Sequence, residues 1–462
     1  MLFTSYQFVV FMMFLALPLR YAVPTRFVPV TLLVLSYAFY LFWSVPYTVL
    51  LAAMTLASYG IAKLLARPGA SKKTILALGV TGLLVLLSYF KYSNFVLAQL
   101  HVDKRLDVVL PLGISFFVFE MISYLVDVYR GTPPAKSLLQ YFVYIAYFPH
   151  LIAGPIVRAN ELLPQLERPR KFDGAMAAEG VFIALVGFVK KMVFADNLGL
   201  FADAVFKDPT NQPTFAIWLG VLAYTGQIFC DFSGYTDIAR GASLAMGIEL
   251  PDNFDYPYNS TSITEFWRRW HMTLSRWLRD YLYISLGGNR HGKIATYRNL
   301  FLTMLLGGLW HGASWTFVAW GAWHGVLLAL HKLLVDVTKN NKAFLWLRLN
   351  PLYRAVSWLT TFFVVVLGWV LFRAQKFDAA EVVLRGMFKW VPFVPTQASN
   401  ELIFTGRALI VLALVHVLGG ARVGLRAHRA MPPAARGILW ASMIAICYLF
   451  AVGSPVFIYF QF

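Results

Sequence analysis

The sequence predicts an all-α fold, a polytopic integral membrane protein with about 10 to 13 transmembrane helices and additional re-entrant and interfacial helices. Composition is the first observation behind this prediction. Of the 462 residues, 59% are hydrophobic, 16% are aromatic and only 13% are charged, whereas soluble domains have about 25% charged residues. A chain this apolar cannot cover its hydrophobic surface inside one soluble core, so lipid must contact much of it.

The second observation is that long apolar runs recur along the whole chain. A transmembrane helix needs about 20 apolar residues. Runs that approach this length lie at residues 5–22, 27–45, 47–66, 75–99, 108–129, 176–198, 214–232, 296–310, 313–335, 355–374, 402–420 and 437–458. The first run lacks a basic n-region and a cleavage site, so we interpret it as a membrane helix rather than a signal peptide. Pro149, Gly154 and Pro155 interrupt the run at 138–157, which predicts a broken or re-entrant helix covered by protein or water.

The distribution of charge separates this chain from nucleic-acid binders. Its net charge is +18, but the Lys and Arg residues form short clusters between apolar runs, as they do in the cytoplasmic loops of membrane proteins. A nucleic-acid binder would concentrate them on one soluble face. The clusters of basic residues therefore predict contact with anionic lipids. Their distribution among the loops also predicts that the N-terminus lies outside the cell. Cys230 and Cys447 both lie inside apolar runs, so neither a disulfide framework nor a metal site is expected.

The segment 262–285 has the pattern of an amphipathic helix. Ser262 and Glu265 fit a capping box, which marks a helix start. Helical spacing places an apolar stripe on one side, made of Trp267, Trp270, His271, Leu274, Trp277, Leu278, Tyr281 and Leu282. The other side has Arg268, Arg269, Arg276, Arg279 and Asp280. This pattern predicts one interfacial helix with its arginines toward phosphates. From spacing alone, His271 either bonds a neighbour or takes part in chemistry.

Two histidines stand in Trp-His-Gly triplets near the junction of two apolar runs. These are His311 and His324. Ionisable residues within membrane helices are rare and usually lie toward the bundle interior or water. A neutral imidazole can take a proton from a hydroxyl near pH 7. The alternative is that both histidines only form hydrogen bonds between helices, and spacing alone leaves the two readings open.

Several other sequence patterns give weaker evidence for a functional site. His331 and Asp336 have the His-x4-Asp spacing of some soluble acyltransferases, but on a helix they lie about 140° apart and share no face. The acidic residues of the polar segment 230–258 either bind a cation, orient a histidine or form Asx turns; they are Asp231, Asp237, Asp252 and Asp255. The sequence has no nucleophile elbow, Walker loop or dinucleotide fingerprint.

Four segments together resemble a known family. They are YFPHLIAGPIVRANELLPQ at 147–165, QIFCDFSGYTDIARGASLAMGIELPDNFDYPY at 227–258, FWRRWHMTLSRWLRDYLYISLGG at 266–288 and GGLWHGASWTFVAWGAWHG at 307–325. In this order they resemble the membrane-bound O-acyltransferase superfamily, and in particular its bacterial branch of alginate O-acetyltransferase membrane subunits. The likeness covers about residues 110–330.

The resemblance implies which residues act. The family's near-invariant histidine falls on His311 and its second histidine on His271, in a central tunnel where a cytoplasmic acyl donor reaches an outward-facing acceptor. We expect His311 to act as the general base on a hydroxyl and His271 to orient or polarise the thioester. The residues expected to bind substrate are Trp310, Trp270, Asp231, Asn253 and His324. The implied donor is acetyl-CoA, with no bound cofactor and no metal.

The function expected from the resemblance is transfer of an acyl group, most plausibly acetyl, across the membrane toward hydroxyls of an extracellular polysaccharide such as alginate. It implies a bacterial inner-membrane protein in contact with lipids and with an extracytoplasmic acetyltransferase partner. The expected regions are N-terminal membrane helices at 1–107, a catalytic core at 108–335 and C-terminal membrane helices at 336–462. The alternatives are a transporter or flippase subunit of an exopolysaccharide export complex, and a scaffold without chemistry.

Overall fold

The computed structural model describes residues 3–103, 105–168, 171–392 and 400–453. Every regular element in these ranges is a helix, which confirms the predicted all-α class. The first ten α-helices are α1 (Tyr6–Val10), α2 (Leu17–Ala22), α3 (Val28–Leu41), α4 (Val45–Leu65), α5 (Lys72–Gln99), α6 (Ile114–Tyr129), α7 (Leu138–Ala146), α8 (Phe148–Leu151), α9 (Ala159–Glu167) and α10 (Gly174–Phe188). The others are α11 (Asp196–Lys207), α12 (Thr214–Ala245), α13 (Ile263–Arg269), α14 (Met272–Trp277), α15 (Gly292–His311), α16 (Trp315–Thr338), α17 (Lys342–Leu347), α18 (Pro351–Arg373), α19 (Phe377–Phe388), α20 (Asn400–Val417), α21 (Gly420–Ala430) and α22 (Pro433–Leu449).

Six of the described helices are long and apolar enough to cross a bilayer: α4, α5, α12, α16, α18 and α20. Shorter apolar helical stretches lie at Tyr6–Ala22, Thr25–Leu41 and Pro433–Leu449. These helices agree with a multi-pass membrane protein, and the predicted total of 10 to 13 spans stays a prediction.

The chain divides into two compact units. The first comprises residues 1–188, 234–251 and 437–444, and the second comprises 189–233, 252–436 and 445–462. All the residues predicted to act or to bind substrate belong to the second unit. The three regions expected from the sequence are continuous stretches of chain, whereas each unit combines several segments. The boundaries of the three regions stay a prediction.

The broken helix predicted at 138–157 is confirmed. Helix α7 ends before Tyr147, whose ψ of 109° is not helical, and only the four residues of α8 follow. Protein groups then bind the interrupted backbone. The Phe148 amide donates to Ser36 Oγ at 3.1 Å, and the Val157 amide donates to Glu120 Oε1 at 3.1 Å. The backbone at this break is thus buried and hydrogen-bonded, as a membrane protein requires.

The single helix predicted over 262–285 is wrong. Helix α13 does begin as expected, since Ser262 Oγ accepts the Glu265 amide at 3.2 Å. The chain then becomes extended at Trp270 and left-handed at His271, where φ is 42°, before α14 starts. The second half ends in a π-helical turn at Leu278–Tyr283. The predicted division into an apolar side and an arginine side is nevertheless observed in part, because most of the apolar stripe is buried while Arg268 and Arg279 are exposed. The interfacial position of this segment stays a prediction.

Within the first unit, α10 packs directly against the last part of α12. A β-carbon on Gly180 would lie 2.5 Å from the backbone nitrogen of Ala245 and 2.6 Å from the carbonyl oxygen of Gly241. Contacts this short do not occur between real atoms of these types, so the two backbones approach to a distance that only glycine permits. Small residues allow such close helix packing in membrane proteins.

We therefore predict that Gly180→Ala destabilises the protein by about 1–3 kcal/mol, the usual cost of forcing an extra group into a packed site. The measurement is the thermal midpoint of the detergent-purified protein. The matched control is Gly60→Ala in α4, where an added β-carbon has no heavy atom within 4 Å. Equal midpoints for the two variants would contradict the close packing of α10 on α12.

Candidate active site

His311 lies at the corner between α15 and α16. It is the last residue of α15, and the chain turns to extended geometry at Gly312 before α16 begins. The imidazole is buried and lies edge-on to three aromatic rings. Its ring centroid is 5.0 Å from that of Trp310, 5.1 Å from that of Trp320 and 5.3 Å from that of Phe372. The helix corner therefore holds this histidine inside an apolar aromatic wall.

His271 lies at the break between α13 and α14 and is fully buried. Its Nδ1 is 3.1 Å from Asn253 Oδ1, and its ring centroid is 4.6 Å from that of Phe232. The ring of Trp310 is 6.5 Å from it. Because Trp310 also contacts His311, one indole borders both imidazoles. The structure thus places the two histidines of the sequence prediction in the same aromatic cluster.

Asn253 is buried and surrounded by donors from the start of α14. Its side-chain oxygen accepts the Thr273 amide at 3.2 Å and the Thr273 hydroxyl at 2.9 Å, in addition to contacting His271. Its backbone oxygen accepts the Met272 amide at 2.9 Å. The side-chain oxygen of Asn253 therefore holds the His271 segment, and substrate binding by Asn253 stays a prediction.

His324 forms a third buried imidazole in this cluster. Trp267 Nε1 donates to its Nδ1 at 3.3 Å, and the Trp320 ring lies 4.9 Å away. Trp320 also contacts His311, so His324 supports the wall around His311. Trp270 is enclosed by protein rings, with Trp369 at 4.8 Å and Phe254 at 5.0 Å. Substrate binding by His324, Trp270 and Trp310 stays a prediction.

Asp231 belongs to a buried ionic cluster. Lys191 Nζ lies 2.6 Å from Asp231 Oδ1 and 2.6 Å from Asp196 Oδ1, and all three side chains are almost completely buried. We predicted Asp231 from the sequence but missed Lys191 and Asp196. A signal for them was present, since the Lys190–Lys191 pair stands inside an apolar run, where ionisable groups are rare.

Two further buried histidines were also missed. In the second unit, His416 Nδ1 donates to the Leu412 carbonyl at 2.9 Å, and its ring lies 4.7 Å from that of Phe229. In the first unit, His150 Nδ1 lies 3.0 Å from Glu120 Oε1. Each stands in an apolar run, a signal that the sequence analysis used only for His311 and His324. Among the described residues, no group of three His, Cys, Asp or Glu side chains is arranged to hold a metal ion.

The His331–Asp336 spacing corresponds to no shared site. His331 Nδ1 is 2.8 Å from the Thr264 hydroxyl, whereas Asp336 pairs with Lys332 at 2.7 Å.

The protonation of His271 is set by its surroundings. Burial in the apolar interior lowers the pKa of His271 to about 3, because an apolar medium disfavours the charged imidazolium. His271 is therefore neutral at physiological pH.

Comparison with known proteins matches this chain to one protein family. The model of the membrane-bound O-acyltransferase family matches residues 35–369. The chain is 41% identical to "Probable alginate O-acetylase AlgI" of Azotobacter vinelandii, over 98% of this chain and 94% of that protein. It is 43% identical to the protein of the same name from Pseudomonas putida, over 90% of this chain and 86% of that protein. It is 38% identical to "Peptidoglycan O-acetyltransferase" of Helicobacter pylori, over 79% of this chain and 75% of that protein.

The buried ionic cluster predicts losses of stability of different size for two substitutions. Lys191→Met leaves two buried carboxylates without their cation and should destabilise the protein by about 3–5 kcal/mol. Asp231→Asn removes one of two negative charges around a single cation, so Lys191 keeps its pair with Asp196 and the loss should be smaller. The measurement is the folded fraction after detergent extraction, followed by size-exclusion chromatography. A folded fraction of Lys191→Met equal to that of the wild type would contradict a structural role for this cluster.

Proposed function

Since the chain belongs to the membrane-bound O-acyltransferase family, we propose that it moves an acetyl group from a cytoplasmic thioester across the membrane toward hydroxyls of an extracellular polysaccharide such as alginate. The observation that supports this most directly is the placement of His271 and His311, which are buried in one aromatic cluster and bordered by the same indole of Trp310. The proposed location is a bacterial inner membrane.

Acyl transfer from a thioester to a hydroxyl needs two kinds of group. One takes the hydroxyl proton and returns it to the leaving sulfur, and the other stabilises negative charge on the carbonyl oxygen. A positioned base contributes about 10²–10⁴-fold. The two imidazoles supply both groups. The surrounding rings of Trp320 and Phe372 exclude water, which suits transfer to a hydroxyl over hydrolysis of the thioester.

The proposed donor is acetyl-CoA and the proposed acceptor is a sugar hydroxyl. Relatives named for alginate acetylation and for peptidoglycan acetylation both match over most of this chain. Both polymers present sugar hydroxyls, so the shared chemistry is O-acetylation of a polysaccharide outside the cytoplasm. Alginate is the polymer we favour, since relatives that match 98% and 90% of this chain bear its name.

We predict that His311→Ala and His271→Ala each lower acetyl transfer by about 100-fold or more, because each removes a group that acts on the reactants. Release of free thiol from acetyl-CoA by the detergent-purified protein, with a soluble sugar hydroxyl added as the acceptor, measures the reaction. His331→Ala is the matched control: it removes a histidine bonded only to the Thr264 hydroxyl in the described structure, and near-normal activity is expected. Full activity in His311→Ala protein that elutes as wild type would overturn the proposed site.

We further propose that a separate extracytoplasmic acetyltransferase completes transfer to the polymer. Both compact units contain candidate membrane helices, α4 and α5 in the first and α16 in the second. Neither unit is therefore a soluble domain that could hold a long, hydrated polysaccharide. A relay fits this arrangement, in which this chain delivers the acetyl group to the outer side and a partner protein places it on the sugar.

The relay predicts the result of a reconstitution. Vesicles that contain the pure protein, with acetyl-CoA on the cytoplasmic side and alginate outside, should acetylate the polymer only after a partner acetyltransferase is added outside. Acetyl content of the recovered alginate is the measurement, and vesicles with His311→Ala protein are the blank. Efficient acetylation by the pure chain alone would exclude the relay and leave acyl transfer itself intact.

A further inference from the structure

We propose that His416 is a positioning residue for His271, because it anchors one end of the segment 253–259 whose other end holds that imidazole. This inference rests on the proposed acyl transfer, in which His271 acts on the reactants. His416 is a buried histidine that the sequence analysis did not single out. It acts through the segment and needs no contact with the reactants.

The first end of the segment is fastened to the break between α13 and α14. Asn253 Oδ1 lies 3.1 Å from His271 Nδ1, and the Asn253 carbonyl accepts the Met272 amide at 2.9 Å. Two residues later, the Asp255 amide donates to the Arg269 carbonyl at 2.9 Å. These bonds join the segment to the chain on both sides of His271, so a displacement of the segment would move the imidazole.

The second end of the segment is fastened to α20 at His416. The Asn259 side-chain amide donates to the His416 carbonyl at 2.6 Å. The imidazole packs on two tyrosines of the segment, with its ring centroid 5.6 Å from that of Tyr256 and 5.5 Å from that of Tyr258. A single residue of α20 therefore contacts three of the last four residues of the segment.

His416 is itself held in place by its own helix and by α12. Its Nδ1 donates to the Leu412 carbonyl, one turn earlier in α20, at 2.9 Å. Its ring lies edge-on to that of Phe229 in α12, at 4.7 Å. Its Nε2 is buried and has no hydrogen-bond partner among the described residues. Its printed contacts with the segment are thus ring packing and one backbone hydrogen bond, and neither depends on a ring nitrogen.

The backbone between the two fastened ends is left-handed at Tyr256, where φ is 46° and ψ is 60°. This conformation is uncommon for residues other than glycine and persists where the surroundings enforce it. The bond of the Asp255 amide precedes it, and the bond of the Asn259 side chain follows it. Loss of the His416 anchor would therefore let the backbone relax at Tyr256 and displace the end that holds His271.

Tyr258 keeps the segment attached to the protein when the His416 ring is removed. Its hydroxyl donates to the Thr225 carbonyl of α12 at 2.8 Å. Its carbonyl accepts Trp358 Nε1 of α18, also at 2.8 Å. Because these two bonds do not involve α20, we expect loss of the His416 ring to shift the segment rather than to unfold the protein. A shift of about 1 Å in a reacting group can lower the rate by about 10²-fold.

His416→Ala and His416→Phe test the anchor. His416→Ala removes the ring that packs on the tyrosines, so we expect kcat for thiol release with the soluble sugar acceptor to fall about tenfold or more. The KM for acetyl-CoA should change less than about twofold, because His416 does not bind the donor in this proposal. His416→Phe keeps an aromatic ring and the backbone carbonyl, so most of kcat should remain. Equal losses of kcat in the two variants would overturn the packing role.

Leu412→Ala is the matched control on the same helix. Leu412 is buried one turn before His416, and its truncation leaves a cavity that should lower the thermal midpoint. The His416 ring and both backbone carbonyls stay in this variant, so kcat of the folded protein should remain near that of the wild type. If Leu412→Ala lowered kcat as much as His416→Ala, general loosening of α20 would explain both results and the proposal would be wrong.

A double-mutant cycle tests whether His416 acts through the segment. Asn253→Ala cuts the link to His271 at the first end of the segment, so adding His416→Ala should lower kcat little further. Multiplication of the two single losses would show independent effects and overturn the proposal. His416→Leu, which keeps most of the buried volume without an aromatic ring, takes the place of the alanine variant in the cycle if that variant does not elute as wild type.

Failure of the proposed function would look different from failure of this inference. Thiol release that survives both His311→Ala and His271→Ala would remove the acyl-transfer site itself. Loss of thiol release in those two variants, together with wild-type kcat in His416→Ala, would overturn the positioning role of His416 alone.

Discussion

The buried pairing of Lys191 with Asp196 and Asp231 is the interaction on which the position of α12 in the second unit depends. Three ionisable side chains at this depth are tolerable only because they satisfy one another at 2.6 Å. Isolated charges in an apolar interior are far costlier than such a pair. Asp231 immediately precedes Phe232, whose ring contacts His271. The ion cluster therefore fixes the register of α12 that brings this ring against the imidazole.

Asn253 supplies a second constraint on the same ring. Its side-chain oxygen lies 3.1 Å from His271 Nδ1, and its backbone oxygen accepts the Met272 amide next to the left-handed residue His271. The Phe232 ring packs edge-on against this imidazole, and Trp310 contacts both it and His311. The candidate site is consequently defined by α12, the 253–255 segment, the α13–α14 break and the α15–α16 corner, and no one of these elements contains both imidazoles.

The sequence predicted those features that depend on local pattern. Apolar length predicted the membrane helices, Ser262 and Glu265 predicted the start of α13, and Trp-His-Gly pointed to His311. It did not predict the break at His271, because a positive φ there depends on bonds to Asn253 and not on the residues of the helix itself. Lys191 and His416 were missed for a related reason: the groups that Lys191 pairs with and the ring that packs on His416 are known only once the helices are assembled.

Transfer of an acetyl group from a thioester to a hydroxyl also determines where the proton goes. In the proposed transfer, the acetyl group moves outward to a hydroxyl while the proton of that hydroxyl passes through an imidazole of the site to the thiol on the cytoplasmic side. The acetyl group replaces the proton on oxygen and the proton replaces the acetyl group on sulfur, so the exchange moves an acyl group across the membrane with no net transfer of charge. A neutral imidazole is suited to this exchange, because it is charged only between taking the proton and returning it. The apolar rings around it disfavour the imidazolium and so favour return of the proton.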